Sequence, residues 1–224
     1  MNPLARAIIR GAGSGFTYAS VPSQLLRINS LEGSLGFSGS VLTSVTDVSA
    51  VGGTVNVTGS PVYTASDAGL NGAPSFTPVA STSSIIAPNV NRALVKYVAA
   101  VIYRSTTGSH YFCDGTTASG RWIGALVAGD AYTSGLTPTA VAGEPTTGRK
   151  RILIAADGGA VKSRVNAVEI GPVMASLATG NGLSLAQNYI GGSPSTMAFF
   201  MACSAVPDST TRAALEAKLI TDFG

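Results

Sequence analysis

Acidic side chains are the first residues to test for chemistry, because glycoside hydrolysis needs two of them. One carboxyl protonates the leaving oxygen while the other attacks or activates water, and a spacing of two along a strand puts both on one face. The acids of the chain are Glu32, Asp47, Asp67, Asp114, Asp130, Glu144, Asp157, Glu169, Asp208, Glu216 and Asp222. No two of them lie within four positions of each other, so a pair would have to be assembled across neighbouring strands. We therefore expect a protein that is not an enzyme.

Nucleophilic and metal chemistry have equally few residues to draw on. His110 is the single histidine, and no serine lies in a Gly-x-Ser-x-Gly elbow. A zinc site needs several His or Cys ligands, and His110, Cys113 and Cys203 are too few at unsuitable spacing. Calcium needs clustered oxygen ligands, whereas Asp114-Gly115 and Asp157-Gly158-Gly159 are typical of turns. The sequence predicts no metal and no cofactor.

Carbohydrate binding has better candidates. A sugar site needs an exposed aromatic ring for the apolar face of the sugar, beside polar groups for its hydroxyls. The available rings are Trp122, Tyr132, Tyr63 and Tyr189. We take Trp122 and Tyr132 as the candidate carbohydrate-binding residues. The alternative for Trp122, the single tryptophan, is a place in the core or in an interface.

The charge content of the chain is low. Charged residues make up 11% of the sequence, and the net charge is +3. The basic tripeptide at 149–151 has no interleaved aromatic residues, so we read it as a solvated turn and expect no nucleic-acid binding. A surface with so few charges fits a domain kept soluble by Ser and Thr hydroxyls. It fits equally a subunit whose faces are covered by neighbours.

Residues 1–20 are predicted to form an N-terminal arm. A short basic and apolar segment is followed by a glycine-rich stretch at 11–15, which is too flexible to pack as the interior of an element. Charges interrupt the apolar run, so we expect no secretory signal, no membrane insertion, and synthesis in the cytoplasm. The arm residues expected to bind a partner are Leu4, Arg6, Ile8, Ile9 and Arg10.

From residue 21 onward, short β-rich runs alternate with turn clusters, as in an all-β domain. Residues 95–103 and 196–203 are nearly continuously apolar, which predicts central strands covered on both faces. A single amphipathic helix closes the chain. Pro207 precedes it, its apolar face is Leu215, Leu219 and Phe223, and its candidate caps are Asp208, Ser209 and Thr210.

Four segments in order resemble concanavalin A-like (laminin-G-like) domains of phage and bacterial surface proteins. SVTDVSAVGG at 44–53 is similar to a Trp-x-Asp-x-Ser-Gly-x-Gly segment of that family, with Val45 in the Trp position. PVY at 61–63 followed by LNGAPSF at 70–76 resembles its Pro-x-Tyr and Leu-Asn-Gly-x-Pro-x-Phe segment. YVAAVIYR at 97–104 is similar to its central strand, and LEAKLITDFG at 215–224 to its closing helix.

The resemblance covers about residues 21–224 and implies an all-β fold. The implied architecture is an antiparallel concanavalin A-like jelly-roll sandwich with a short C-terminal helix, preceded here by the extended N-terminal arm. Catalytic members, the laminarinase-like glycoside hydrolases, carry a Glu-x-Asp-x-Glu arrangement on one strand. That arrangement is missing from this sequence.

Three functions follow from these expectations. The first is a non-enzymatic structural protein of a bacteriophage virion, a head decoration or cement, tail or fibre-associated subunit. It would form homo-oligomers and bind other virion proteins through its arm and its sandwich faces. The alternative is a carbohydrate- or receptor-binding lectin-like module whose partner is a cell-surface glycan. A glycan hydrolase is a distant third.

Overall fold

The computed structural model describes residues 15–79, 84–104, 110–114, 122–126, 131–134, 138–140, 148–155, 163–170, 181–185, 193–194 and 196–224. In chain order the strands are β1 Gln24–Asn29, β2 Leu35–Ser38, β3 Val41–Thr46, β4 Thr54–Thr58, β5 Val62–Asp67, β6 Ala73–Thr77, β7 Ser84–Asn91, β8 Tyr97–Arg104, β9 His110–Asp114, β10 Trp122–Leu126, β11 Ala131–Ser134, β12 Pro138–Ala140, β13 Gly148–Ala155, β14 Ser163–Val165, β15 Val168–Ile170, β16 Asn181–Leu185, β17 Ser193–Pro194 and β18 Thr196–Cys203. Helix α1 is Ser209–Phe223.

Strands β8 and β18 form the centre of the first sheet. They pair antiparallel, with Thr196 opposite Tyr103 and Cys203 opposite Tyr97. On one side β8 continues into β13, β14 and β15. On the other side β18 pairs with β1 and β6, and the sheet extends through β5 and β3 to β2. Every pairing in this sheet is antiparallel.

The second sheet has the order β4, β7, β16, β9, β10, β11 and β12, with β17 parallel to β9. Strand β4 pairs with β3 through Val55 and with β7 through Val57. It therefore joins the two sheets along one side. The result is a nearly closed antiparallel sandwich, and the predicted all-β jelly-roll class is confirmed.

Alternation along β8 separates the buried side chains into two layers. Val98, Ala100 and Ile102 belong to the layer between the sheets, which also contains Phe76 and Leu42. The intervening Tyr97, Ala99 and Val101 belong to a layer on the opposite face, under helix α1. Because successive side chains on a strand point to opposite faces, a strand covered on both faces must be apolar throughout. The predicted central position of residues 95–103 and 196–203 is confirmed.

Helix α1 begins and ends as the sequence predicts. Asp208 caps it, accepting a hydrogen bond from Thr211 N at 2.9 Å and another from Thr211 Oγ1 at 2.7 Å. These bonds, the backbone one first, lower the pKa of the Asp208 carboxyl from its usual range. At the other end Gly224, with φ of 83°, donates its N–H to Ile220 O at 2.8 Å. The apolar face, consisting of Leu215, Leu219 and Phe223, is fully buried.

Residues 15–20, which the sequence assigns to the arm, pack against the domain. Tyr18 is buried, its ring lies 4.8 Å from that of Phe199, and its hydroxyl donates to Asp222 Oδ2 at 2.8 Å. Lys218 lies over the same ring, with Nζ 5.1 Å from the centroid. The glycine-rich stretch at 11–15 suggested a flexible segment, but the aromatic side chains after it supply apolar area that helix α1 covers. The remaining arm residues, 1–14, lie outside the described residues.

Within the described residues no helix is long and apolar enough to cross a membrane.

Candidate functional site

Two of the acids are used to build turns. Asp47 is buried and accepts backbone N–H bonds from Arg27 at 2.9 Å, Ser49 at 2.8 Å and Gly53 at 2.7 Å. Asp67 accepts from Gly69 N at 2.8 Å and from Ser75 Oγ at 2.9 Å. Asp47 lies in the resembling segment at 44–53, and Asp67 lies between the two parts of the next one, 61–63 and 70–76. Their role there is to satisfy buried donors, since an unpaired buried N–H costs about 1–3 kcal/mol.

Two further acids lie on helix α1 itself. Glu216 Oε2 is 2.7 Å from Arg164 Nη1, and Asp222 Oδ2 is 3.1 Å from Lys218 Nζ. Both carboxylates are therefore neutralised by basic neighbours within the fold. Among the described residues, no group of three His, Cys, Asp or Glu side chains could hold a metal ion.

Cys203 is a free thiol buried at the end of β18. Burial raises the pKa of this thiol to about 12, because the thiolate would lose its hydration. Burial likewise raises the pKa of the neighbouring Tyr97 hydroxyl, which has no hydrogen-bond partner. Both groups stay protonated near neutral pH, so neither is an activated nucleophile. The apolar residues 199–202 that precede Cys203 favour a buried free thiol, and the structure has one there. The side chain of Cys113 lies outside the described residues.

The residues predicted from the sequence to bind ligands lie mostly outside the description. Arm residues Leu4, Arg6, Ile8, Ile9 and Arg10 are among 1–14, and Tyr189 falls in a gap of the described ranges. Trp122 lies on β10 and Tyr132 on the adjacent β11, but their side chains are not described. The strand register sets Tyr132 opposite Ala125, which in turn is opposite His110 on β9. Partner binding by the arm residues and carbohydrate binding by Trp122 and Tyr132 therefore stay predictions.

An exposed pair of aromatic rings lies where the hairpin of β2 and β3 meets β5. The rings of Phe37 and Tyr63 are stacked, with centroids 4.0 Å apart and planes inclined by 5°. Phe37 is 53% exposed, whereas Tyr63 is half-buried and packs on the layer between the sheets. One face of the Phe37 ring is thus backed by Tyr63. We call these two residues the aromatic platform.

Backbone hydrogen bonds hold the two rings of the platform together. Leu42, which lies opposite Phe37 on the hairpin, donates its N–H to Pro61 O at 2.8 Å. Tyr63, the second residue of β5, donates its N–H to Ser40 O at 2.7 Å. The hairpin and β5 are therefore fixed in register on both sides of Val62. Tyr63 is in turn opposite the fully buried Phe76 on β6, which anchors the inner end of the pair.

A β-bulge in the hairpin sets the position of Phe37, opposite Leu42 of the apolar layer. Gly36 is opposite Ser44 but Phe37 is opposite Leu42, so Thr43 is an extra residue on β3. The bulge lets both Leu42 and Val45 point into the core although they are three positions apart. A Cβ at Gly36 would meet Ser44 Oγ, so a substitution there would require that hydroxyl to rotate away.

Sequence reasoning found Tyr63 as an available ring but missed Phe37. The residues around Phe37 are Gly36, Ser38, Gly39 and Ser40, a composition typical of a turn. The usable signal was the alternation of Leu35 and Phe37 before that turn, matched by Leu42 and Val45 after it. Those residues form a short hairpin whose inward positions are apolar.

No protein-family model matches the chain, and no curated protein is similar to it in sequence. Solved structures share its fold. Domain 4 of AbnA, a GH43 extracellular arabinanase from Geobacillus stearothermophilus solved in complex with arabinotriose, has 13% identity and a TM-score of 0.57, over 88% of this chain and 100% of that one. The binding domain of botulinum neurotoxin DC in complex with SialylT has 12% identity and a TM-score of 0.56 over 88% of this chain.

A sialidase from Trypanosoma rangeli in complex with sialic acid is similar over 89% of this chain, with 8% identity and a TM-score of 0.53. This chain spans 52% of the neurotoxin chain and 33% of the sialidase chain. At such identities the likeness establishes a shared jelly-roll sandwich fold and nothing about a site.

Proposed function

We propose that this protein is a carbohydrate-binding, lectin-like module without enzymatic activity, and that its ligand stacks on Phe37. The observation that carries the proposal is the exposed, stacked ring pair. An aromatic side chain left 53% exposed forgoes much of the stabilisation that its burial would give. The backbone bonds around it fix the ring in place, so little ordering entropy is lost when a sugar packs on it.

The shared fold supports the same function. The arabinanase domain was solved with arabinotriose, the neurotoxin domain with SialylT and the sialidase with sialic acid. The non-enzymatic part of the proposal rests on the acids of the described residues. Asp47 and Asp67 accept hydrogen bonds within turns. Glu216 and Asp222, on helix α1, form ion pairs with Arg164 and Lys218.

Glycan binding by the wild type and by Phe37→Ala tests this function. We expect the wild type to bind members of a printed glycan panel, and the variant to lose at least about tenfold in affinity, which corresponds to about 1.4 kcal/mol. Phe37→Trp, which keeps a ring at the position, should retain binding. Val51→Ala is the matched control, because Val51 is also highly exposed but is not part of the platform.

Two outcomes would contradict the assignment. The first is a wild-type protein that binds no glycan. The second is binding that Phe37→Ala leaves unchanged but Trp122→Ala abolishes, which would place the site on β10, where the sequence predicts it.

A structural role in a bacteriophage virion is the second candidate. It is favoured by the charged fraction of 11% and by the exposed Val41 and Val62, which a neighbouring subunit would cover. In this role the protein would form homo-oligomers and bind other virion proteins as a decoration, tail or fibre-associated subunit, with the arm as clasp. Its final location would be the virion.

A further inference from the structure

We infer that the sugar bound at the aromatic platform is uncharged, and that sialylated or otherwise anionic sugars are not its ligands. This inference rests on the proposed function and names the ligand class of the same site. It follows from the small number of charged residues on the surrounding elements. It also follows from the hydrogen bonds and ion pairs in which those residues already take part.

The segment that builds the platform is almost without charge. Between Gly33 and Ser66 the sequence contains one charged residue, Asp47. Its side chain is buried and accepts three backbone N–H bonds, so it faces no ligand. The hairpin of β2 and β3, the turn before β5 and the first half of β5 therefore present a neutral surface.

The basic group nearest in sequence is already engaged. Arg27 is the single basic residue of 15–79, and its guanidinium is buried. Nη1 donates to Gln24 Oε1 at 2.9 Å, and Nη2 donates to Val48 O. Nε lies 3.1 Å from Glu32 Oε2. A sugar carboxylate could not pair with this group without breaking bonds that hold β1 to the Asp47 turn.

The other basic residues whose side chains the structure describes, Arg92, Lys96, Arg164, Arg212 and Lys218, lie on other elements. The register of β6, β18 and β8 places the platform at the Tyr103 end of β8, where Arg104 ends the strand and Arg149 on β13 lies opposite Tyr103. However, β6 and β18 separate Tyr63 from β8 by about 14 Å at the usual strand spacing. Lys96 precedes the opposite end of that strand, about 20 Å away at the usual rise per residue. Arg164 and Lys218 form ion pairs with Glu216 and Asp222, two acids of helix α1.

What the platform offers instead are hydroxyl groups. Ser40 in the hairpin turn and Ser60 before Pro61 are exposed, whereas Ser38 lies opposite Val41 on the other face of the hairpin from Phe37. A serine hydroxyl both donates and accepts, which matches the hydroxyls of a neutral sugar. A carboxylate would instead lose hydration against Phe37 without gaining a cation from residues 33–66 or from the engaged Arg27, and that loss is unfavourable.

Binding to matched glycan pairs tests the inference. A panel that prints each oligosaccharide with and without a terminal sialic acid is probed with wild type and with Phe37→Ala. We expect the neutral member of each pair to bind at least tenfold more tightly. We also expect that affinity to stay unchanged between low and high salt, because no ion pair is involved. Ser40→Arg, in the hairpin turn beside Tyr63, should shift the preference toward the sialylated member.

The outcomes separate this inference from the proposed function. Tighter binding of sialylated members, lost in Phe37→Ala, overturns the neutral ligand while leaving glycan binding at Phe37 in place. Strong weakening of binding by salt overturns it as well. If no member of any pair binds, or if Phe37→Ala has no effect, the proposed function itself fails.

Discussion

Phe37 and Phe76 show how one residue type serves two purposes in this sandwich. Phe76 is fully buried between the sheets, whereas Phe37 is 53% exposed at the end of a four-residue strand. Tyr63 contacts both environments, since it lies opposite Phe76 on the sheet and stacks on Phe37. The buried ring contributes to stability and the exposed ring is available for a ligand.

Gly69 is a single residue on which the packing of a neighbouring strand depends. It lies in the short 3-10 turn Ala68–Leu70, and a Cβ at this position would be 2.5 Å from Cδ2 of Tyr103 on β8. We expect Gly69→Ala to displace the ring and lower the free energy of unfolding by about 1–3 kcal/mol. Urea denaturation of the purified protein measures this.

Gly15→Ala is the control for that measurement, because a Cβ at Gly15 would meet nothing within 4 Å. The control should unfold like the wild type. A Gly69→Ala protein as stable as the control would mean that Tyr103 moves aside without loss of packing.

Helix α1 is the element that the sequence specified most completely. Its cap and its apolar face are local features: the cap is Asp208, one of the three candidates, and the buried face is the predicted Leu215, Leu219 and Phe223. Strands β8 and β18 were recognised for a similar reason, because an apolar run bounded by turns is a local signal.

The β-rich runs that the sequence predicts do not include β2, β5, β6, β11, β12 or β17. Each is short, and β2 contains Gly36 while β12 begins with Pro138. These residues are typical of turns when judged by themselves. The strands exist because neighbouring strands supply their hydrogen bonds, β3 for β2 and β11 for β12.

Helix α1 also allows a matched pair of substitutions. The side chain of Leu219 is fully buried on the inner face of helix α1, whereas the next residue, Ile220, is 42% exposed. We expect Leu219→Ala to cost about 2–5 kcal/mol of unfolding free energy through the cavity that it leaves. Ile220→Ala should stay within about 1 kcal/mol of wild type. Equal effects in thermal or chemical unfolding would show that the helix does not cover the sheet as described.

For the whole molecule, the two ends of the described chain are joined. Tyr18 and Asp222 are 204 positions apart and share a 2.8 Å hydrogen bond beneath helix α1. The function of the arm must therefore be tested by deletion of residues 2–14, which leaves Phe16 and Tyr18 in the chain. Deletion of residues 2–20 would also remove core contacts, at a cost of about 3–5 kcal/mol for an aromatic side chain.

If the arm is a clasp in a virion, the 2–14 deletion should abolish incorporation into particles while thermal unfolding stays as in the wild type. The 2–20 deletion should unfold at lower temperature. Incorporation of the 2–14 variant at wild-type levels would contradict the clasp.

The sequence by itself determined the all-β class, the two central strands, the closing helix and the lack of closely spaced acids. Each of these is readable because it depends on neighbours within a few positions, through alternation, capping and spacing. The tertiary structure alone decided that Phe37 stacks on Tyr63, that Tyr18 packs under helix α1, and that Arg27 is buried with its donors engaged. These contacts join residues far apart in the chain. They follow from the register of non-consecutive strands, such as β1 with β18 and β3 with β5. That register is set by the combined packing of many side chains, so no local pattern records it.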